Sequence, residues 1–125
     1  MITQERLQLN SETDIVNARM AIREFARQCG FSLADQACIS MAASSLAYSL
    51  GLARENSAGG EIMIEKSTNQ HMRTGVRVHC IKNHSDDADR NVVNAGNSRL
   101  LVDQIEVKSL PENGIEIIVT KWNSV

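Results

Sequence analysis

The chain has 125 residues and a net charge of −2, and it is 42% apolar, 22% charged and only 3% aromatic. At roughly 100–200 residues per domain this is one domain, 1–125, with enough apolar content to exclude a disordered ground state. Two Phe, one Tyr and one Trp are too few for a base-stacking platform, and a pI near 5.9 leaves no basic footprint for nucleic acid or an anionic membrane.

Glu5 to Leu9 alternates polar and apolar residues and predicts a short strand. Ser11-x-x-Asp14 then reads as a helix start, with Ser11 as cap and Asp14 in the positive first turn. Ile15, Ala18, Ile22, Phe25, Ala26 and Cys29 follow at three- and four-residue steps, and Gly30 is a left-handed stop. Ser32-x-x-Asp35 repeats this grammar for a second helix, with an apolar stripe expected through Leu33, Ile39, Ala42, Ala43, Leu46, Ala47 and Leu50. Gly51 either ends or interrupts that helix, and residues 53–60 read as a loop.

Glu61–Ser67 and Gly75–Ile81 alternate as half-buried strands around a polar loop with Asn69, Gln70 and His71. A polar break follows from Lys82 to Arg90. Leu100, Leu101 and Ile105 predict a short third helix, capped by Asn97 or Ser98. Ile105–Leu110 and Ile115–Lys121 form a hairpin around Pro111-Glu112-Asn113-Gly114, where Asn-Gly supplies positive backbone angles. The layout is α+β, an antiparallel-rich sheet with one face under two or three helices.

Candidate chemistry is sparse. Cys29, Cys38, Cys80, His71, His79 and His84 include no C-x-x-C or H-x-x-x-H pair, so no metal is expected. His79 reads as a solvent-facing residue, and Cys80 with His84 as a nucleophile–base pair lacking an orienting third group. Asp86, Asp87 and Asp89 cluster without the glycine of a cation loop and read as solvated. Arg19, Arg23 and Arg27 recur every four residues, either as a solvated face or as a ridge for a partner. The three cysteines fit no disulfide framework, no apolar run nears the roughly 20 residues of a membrane span, and no signal-peptide layout opens the chain. A reduced, cytoplasmic protein is therefore expected.

Asp14-Ile15-Val16-Asn17-Ala18-Arg19, followed by Arg23-Glu24-Phe25-Ala26 and Gly30-Phe31-Ser32-Leu33-Ala34-Asp35-Gln36, resembles the small serine-kinase and anti-sigma-factor branch of the histidine-kinase-like (GHKL) ATPases. The RsbT-type switch kinases of bacterial stress signalling carry similar D-I-V-x-A-R and G-F-S-x-x-D-Q runs. The likeness continues through Ser44–Ala47, Gly59–Ile62, Gly75–Val78 and Thr120–Trp122. It implies a two-layer α/β sandwich with helices on one face of a mixed, mostly antiparallel sheet.

The family's nucleotide positions can be followed one at a time. Its S-E-L-x-x-N helix, whose Glu activates the attacking group and whose Asn holds magnesium, corresponds to Ser44–Ser49. Ser45 stands for the Glu and Ser49 for the Asn. Its D-x-G-x-G, whose Asp reads the adenine, corresponds to Lys82–Asp86. Lys82 stands for the Asp, a donor for an acceptor, while His84 and Asp86 stand for the glycines. Its glycine-rich lid corresponds to a short 92–98 with Gly96 alone.

Three elements lost together imply a pseudo-kinase without ATP or magnesium that binds protein partners, a STAS-type antagonist or a sigma factor. Arg19, Arg23, Arg27, Lys82, Asp86, Asp87 and Asp89 are the expected contacts. Two alternatives stand beside it. One is an enzyme holding a nucleotide or another small ligand in a remodelled pocket lined by Ala42, Ala43, Ser44, Ser45 and Ser49, with Lys82 on an anionic group. The other is a homodimer or structural homo-oligomer whose vacated pocket Tyr48 fills.

Overall fold

The computed structural model describes residues 3–52, 60–85, 87–92 and 98–124. In chain order these form strand β1 (Gln4–Leu9), helix α1 (Glu12–Gln28), helix α2 (Leu33–Ser49), and strands β2 (Gly60–Thr68), β3 (Thr74–Lys82), β4 (Gln104–Leu110) and β5 (Gly114–Trp122). Short 3-10 turns at Asp87–Asn91, Ser98–Leu100 and Pro111–Asn113 complete the described chain.

Both helices begin and end on the same devices. Ser11 Oγ accepts the Asp14 N–H at 3.3 Å, and the Asp14 carboxylate accepts the Asn10 N–H at 2.7 Å. Ser32 Oγ accepts the Asp35 N–H at 3.2 Å. Each cap satisfies a donor that the first helical turn leaves open. At the other ends Gly30 (φ 86°) and Gly51 (φ 71°) are left-handed. Past each of them the chain folds back, with Phe31 N–H on the Ala26 carbonyl at 3.0 Å and Leu52 N–H on the Ala47 carbonyl at 3.1 Å. Gly51 therefore ends its helix and does not interrupt it.

The sheet has the order β1-β2-β3-β5-β4. All of its pairings are antiparallel, so the expected mixed sheet is corrected to an antiparallel one. For β1 and β2 the helical hairpin explains why. α1 and α2 return the chain to the end of β1 that it left, and Leu9 pairs with Gly60 at the start of β2. The expected two-layer α/β sandwich stands.

Alternation builds the core. Ile62 and Ile64 of β2, Val76, Val78 and Cys80 of β3, and Ile115, Ile117 and Val119 of β5 all bury on one face. Ile15, Ala18, Ile22 and Phe25 of α1 and Ile39, Ala42, Ala43, Leu46 and Ala47 of α2 cover them. The alanines let α2 lie close, and the Cys80 S–H reaches the Ala43 carbonyl at 3.7 Å.

Two expectations about the C-terminal third change. The third helix is a single 3-10 turn, Ser98–Leu100, with Leu100 exposed. Ile105 lies in β4 opposite Val119, because pairing with β5 satisfies its backbone and lays its half-buried side chain against the core at once. Asn97 and most of the 53–60 loop lie outside the described residues. In the hairpin turn the positive angles fall on Glu112 (φ 61°) and Asn113 (φ 63°), not on Gly114 (φ −73°). Gly114 is needed for space, since a Cβ there would stand 3.0 Å from the Asn83 carbonyl oxygen and from Leu110 Cβ. Gly75 similarly leaves room for the Trp122 ring, which a Cβ would meet at 2.5 Å.

The chain's last strand is tied to the start of α2. Ser124 donates to the Asp35 carboxylate at 2.6 Å, and Lys121 Nζ lies 3.7 Å from it. The Ser124 hydroxyl foremost, and then Lys121, hold the Asp35 carboxyl below its ordinary value. Its charged form is thus favoured by folding. That contribution is complete above a pH of about 4, the ordinary carboxylate value, and is lost as the pH falls through the lowered folded value. Denaturant titrations should therefore show wild type above Asp35→Asn at neutral pH, with the gap closing in acid. Ile117→Ala, which empties the centre of the core, should cost about 2–5 kcal/mol at any pH.

Candidate functional site

Strand alternation places Lys82 on the inner face of β3, in line with Val76, Val78 and Cys80. Its ammonium donates to the Asp89 carboxylate at 2.9 Å. Both side chains are largely shielded, at 17% and 6% exposure. The 3-10 turn Asp87–Asn91 folds back over the end of β3 to make this pair, while Ser85 donates to the Asn113 carbonyl at 2.7 Å and pins the turn between them. The solvated reading of the acidic cluster is corrected for Asp89, because a shielded ammonium needs a carboxylate beside it. Asp86 lies outside the described residues, and Asp87 belongs to the turn.

Ser45 and Ser49 stand one turn apart on the exposed side of α2, together with Met41 and Tyr48. His84 is exposed beyond the end of β3. Lys82 and Asp89 are thus brought together, while Ser45, Ser49 and His84 face solvent. Tyr48 is 40% exposed, so its ring does not fill a pocket. The pairing of Cys80 with His84 is also corrected. Cys80 points into the core, where burial pushes its thiol up to about 12, and it stays protonated at neutral pH.

The arginines divide. Arg19 is half-buried and donates through Nε to Ser44 Oγ at 3.3 Å, tying α1 to α2. Arg27 forks onto Glu24, which it and Gln28 hold at about 2. Arg23 is exposed between them. Beside this ridge the helices present Val16, Met20, Met41 and Tyr48 to solvent, with Met20 66% exposed.

A constellation that sequence reasoning missed lies on the other face of the sheet. His79, expected to face solvent, is only 8% exposed. Its Nε2 lies 3.1 Å from Glu65 and its Nδ1 3.2 Å from Glu116, on the two flanking strands. Arg77 reaches the same Glu65 at 3.7 Å and donates to Thr120 at 3.3 Å. Long side chains lying flat bury one another here, with no covering layer among the described residues. Strand pairing offered the only signal, because Glu65 and Glu116 become neighbours of His79 only once three strands are in register. Among the described residues no group of three His, Cys, Asp or Glu side chains could hold a metal ion, and no helix is long and apolar enough to cross a membrane. Cys29, Cys38 and Cys80 are free thiols.

The fold has a counterpart among solved structures. A chain in the crystal structure of the SiaB–SiaC complex from Pseudomonas aeruginosa superposes with a TM-score of 0.53 at 11% identity, covering 97% of this chain and 89% of that one. At this identity the likeness concerns the fold. No protein-family model and no curated protein matches the sequence.

The shielded ion pair makes its own energetic statement. Lys82→Met removes the ammonium that lies against the shielded Asp89 carboxylate, and Asp89→Asn removes the charge that lies against the Lys82 ammonium. Each should cost on the order of 2–4 kcal/mol. In urea titrations the double variant should cost clearly less than the sum of the two, the mark of direct coupling.

Proposed function

We propose that this protein is a binding regulator of the partner-switching kind, built on a histidine-kinase-like fold and working without phosphoryl transfer. The observation that carries this reading is the Lys82–Asp89 pair. In the family that the sequence resembles, an acidic side chain at the Lys82 position accepts the adenine amino proton. Here a donor stands there, and a carboxylate from the following turn already satisfies it. Seating adenine would require breaking a shielded ion pair and would set an ammonium against an amino group. Ser45 and Ser49 supply neither a general base nor the family's magnesium ligand. The residues at these positions do not fit an adenine nucleotide with magnesium.

What remains is surface. The α1–α2 face combines the Arg19 and Arg23 cations with exposed Val16, Met20, Met41 and Tyr48. An apolar centre with charged surroundings is the composition of a protein-binding patch. The matching partner is a protein with an apolar ridge flanked by carboxylates, and a STAS-type antagonist or a sigma factor is the class that the resemblance implies. That the fold recurs in a complex of two proteins supports the same reading.

Two measurements test it. A thermal-shift titration with ATP and magnesium should leave the melting temperature unchanged. A nucleotide present at a hundred times its dissociation constant would add about 2.7 kcal/mol, and such a shift would overturn the reading. Calorimetric titration against the STAS and sigma-factor products of neighbouring genes should give a complex that Met20→Glu weakens at least tenfold while leaving the melting temperature intact. Absence of any complex at concentrations on the order of tens of micromolar, about 6 kcal/mol of binding, would sink it.

A further inference from the structure

An open sheet has two edges, and here they differ. At one edge β1 sends Glu5, Leu7 and Leu9 toward the helical layer, opposite Ile64, Ile62 and Gly60. Glu5 is therefore a charge pointing inward on an edge strand, and Arg6 on the other face is bonded to Glu61 of β2. An inward charge is a device that keeps an edge from pairing with another chain. At the opposite edge β4 has β5 as its one neighbour among the described strands. Its inward residues are Ile105, Val107 and Ser109, opposite Val119, Ile117 and Ile115. None of the three is charged, and no proline interrupts the strand. Val107 is 41% exposed although its cross-strand neighbour Ile117 is fully buried, so the helical layer ends before β4.

The order of residues along this strand is self-complementary. Gln104-Ile105-Glu106-Val107-Lys108-Ser109-Leu110 carries one acid and one base, placed symmetrically about Val107. When two copies are laid antiparallel with Val107 opposite Val107, each Glu106 stands opposite Lys108 of the partner subunit. Both of these lie on the outer face, away from the helices. Cross-strand pairs of opposite charge stabilise an antiparallel ladder, and like charges directly opposite destabilise it. On the inner face the two exposed valines meet on the two-fold axis and cover one another.

We infer that β4 is a homodimerisation edge, across which two copies of this chain join their five-stranded sheets into one continuous antiparallel sheet. The interface is isologous, as a two-fold axis requires. It engages no residue of the α1–α2 face, so each protomer of the dimer still presents that face to another protein.

Sedimentation equilibrium of the full chain over a dilution series tests the inference. Wild type should move from monomer to dimer mass with rising concentration. Glu106→Lys sets two ammonium groups opposite one another across the axis, and Lys108→Glu sets two carboxylates together. Each should raise the dimer dissociation constant at least tenfold. Mixed in equal amounts, the two variants should recover a dimer, because every cross-strand pair is then of opposite charge. The double variant E106K/K108E should dimerise like wild type. A wild type that stays at monomer mass at every concentration would overturn the inference, as would variants that fail to recover on mixing. An unfolded variant cannot be rescued by its counterpart, so recovery on mixing also certifies the fold.

Discussion

The close seat of α2 on β3 governs the rest of the molecule. β3 is the middle strand of the sheet, and α2 lies on its buried face through Ala42, Ala43 and Ala47. Small side chains bring the two backbones near enough for the Cys80 thiol to reach the Ala43 carbonyl. At that distance there is no room for a large group between helix and strand, and a core at crystal-like density transmits any misfit. The position of α1 follows, because Arg19 bonds to Ser44 on the flank of α2. So does the placement of Lys82, which the alternation of β3 delivers to the same layer one step beyond Cys80.

That step separates apolar from ionic organisation. Up to Cys80 the inner face of β3 is closed by burial alone. At Lys82 the helical layer gives way to the Asp87–Asn91 turn, and Asp89 closes the layer by charge. The outer face applies the same principle over a wider area. It has no covering layer among the described residues, yet Ile118 and Thr120 are nearly inaccessible there. Arg77, His79, Glu65 and Glu116 lie along the sheet and pair with one another, and their stems act as the cover. Mutual pairing of long polar side chains thus substitutes for a second helical layer.

Much of the fold is legible in the sequence because the signals are local. Ser11 with Asp14, and Ser32 with Asp35, announce helix starts within four residues, and Gly30 announces a stop. Alternation in Glu61–Ser67 and Gly75–Ile81 reveals strands without knowledge of their neighbours. The features that escape are set by residues distant in sequence. Leu100, Leu101 and Ile105 have helical spacing, but pairing with Val119 fourteen positions later draws Ile105 into a strand. His79 reads as exposed from its own strand, and only β2 and β5 in register bury it. Lys82 is legible as a departure from the family's pattern, whereas its satisfaction by Asp89 depends on how the intervening turn folds back. Gly114 has the right residue type for the predicted turn, but it is required for close approach, a distinction that only the packed hairpin reveals.

Gly75 and Trp122 give the molecule a property unrelated to partners or ligands. The chain contains one tryptophan, and its indole lies across the glycine of the neighbouring strand at the far end of the sheet from the Lys82–Asp89 pair. Its backbone N–H is held by Asp103, just before β4, and the residue after it bonds to the Thr74 carbonyl. The ring's surroundings therefore depend on β3, β5 and the approach to β4 being in place together. Its emission is a built-in optical gauge of whether the end of the sheet is closed, readable without labels or substitutions.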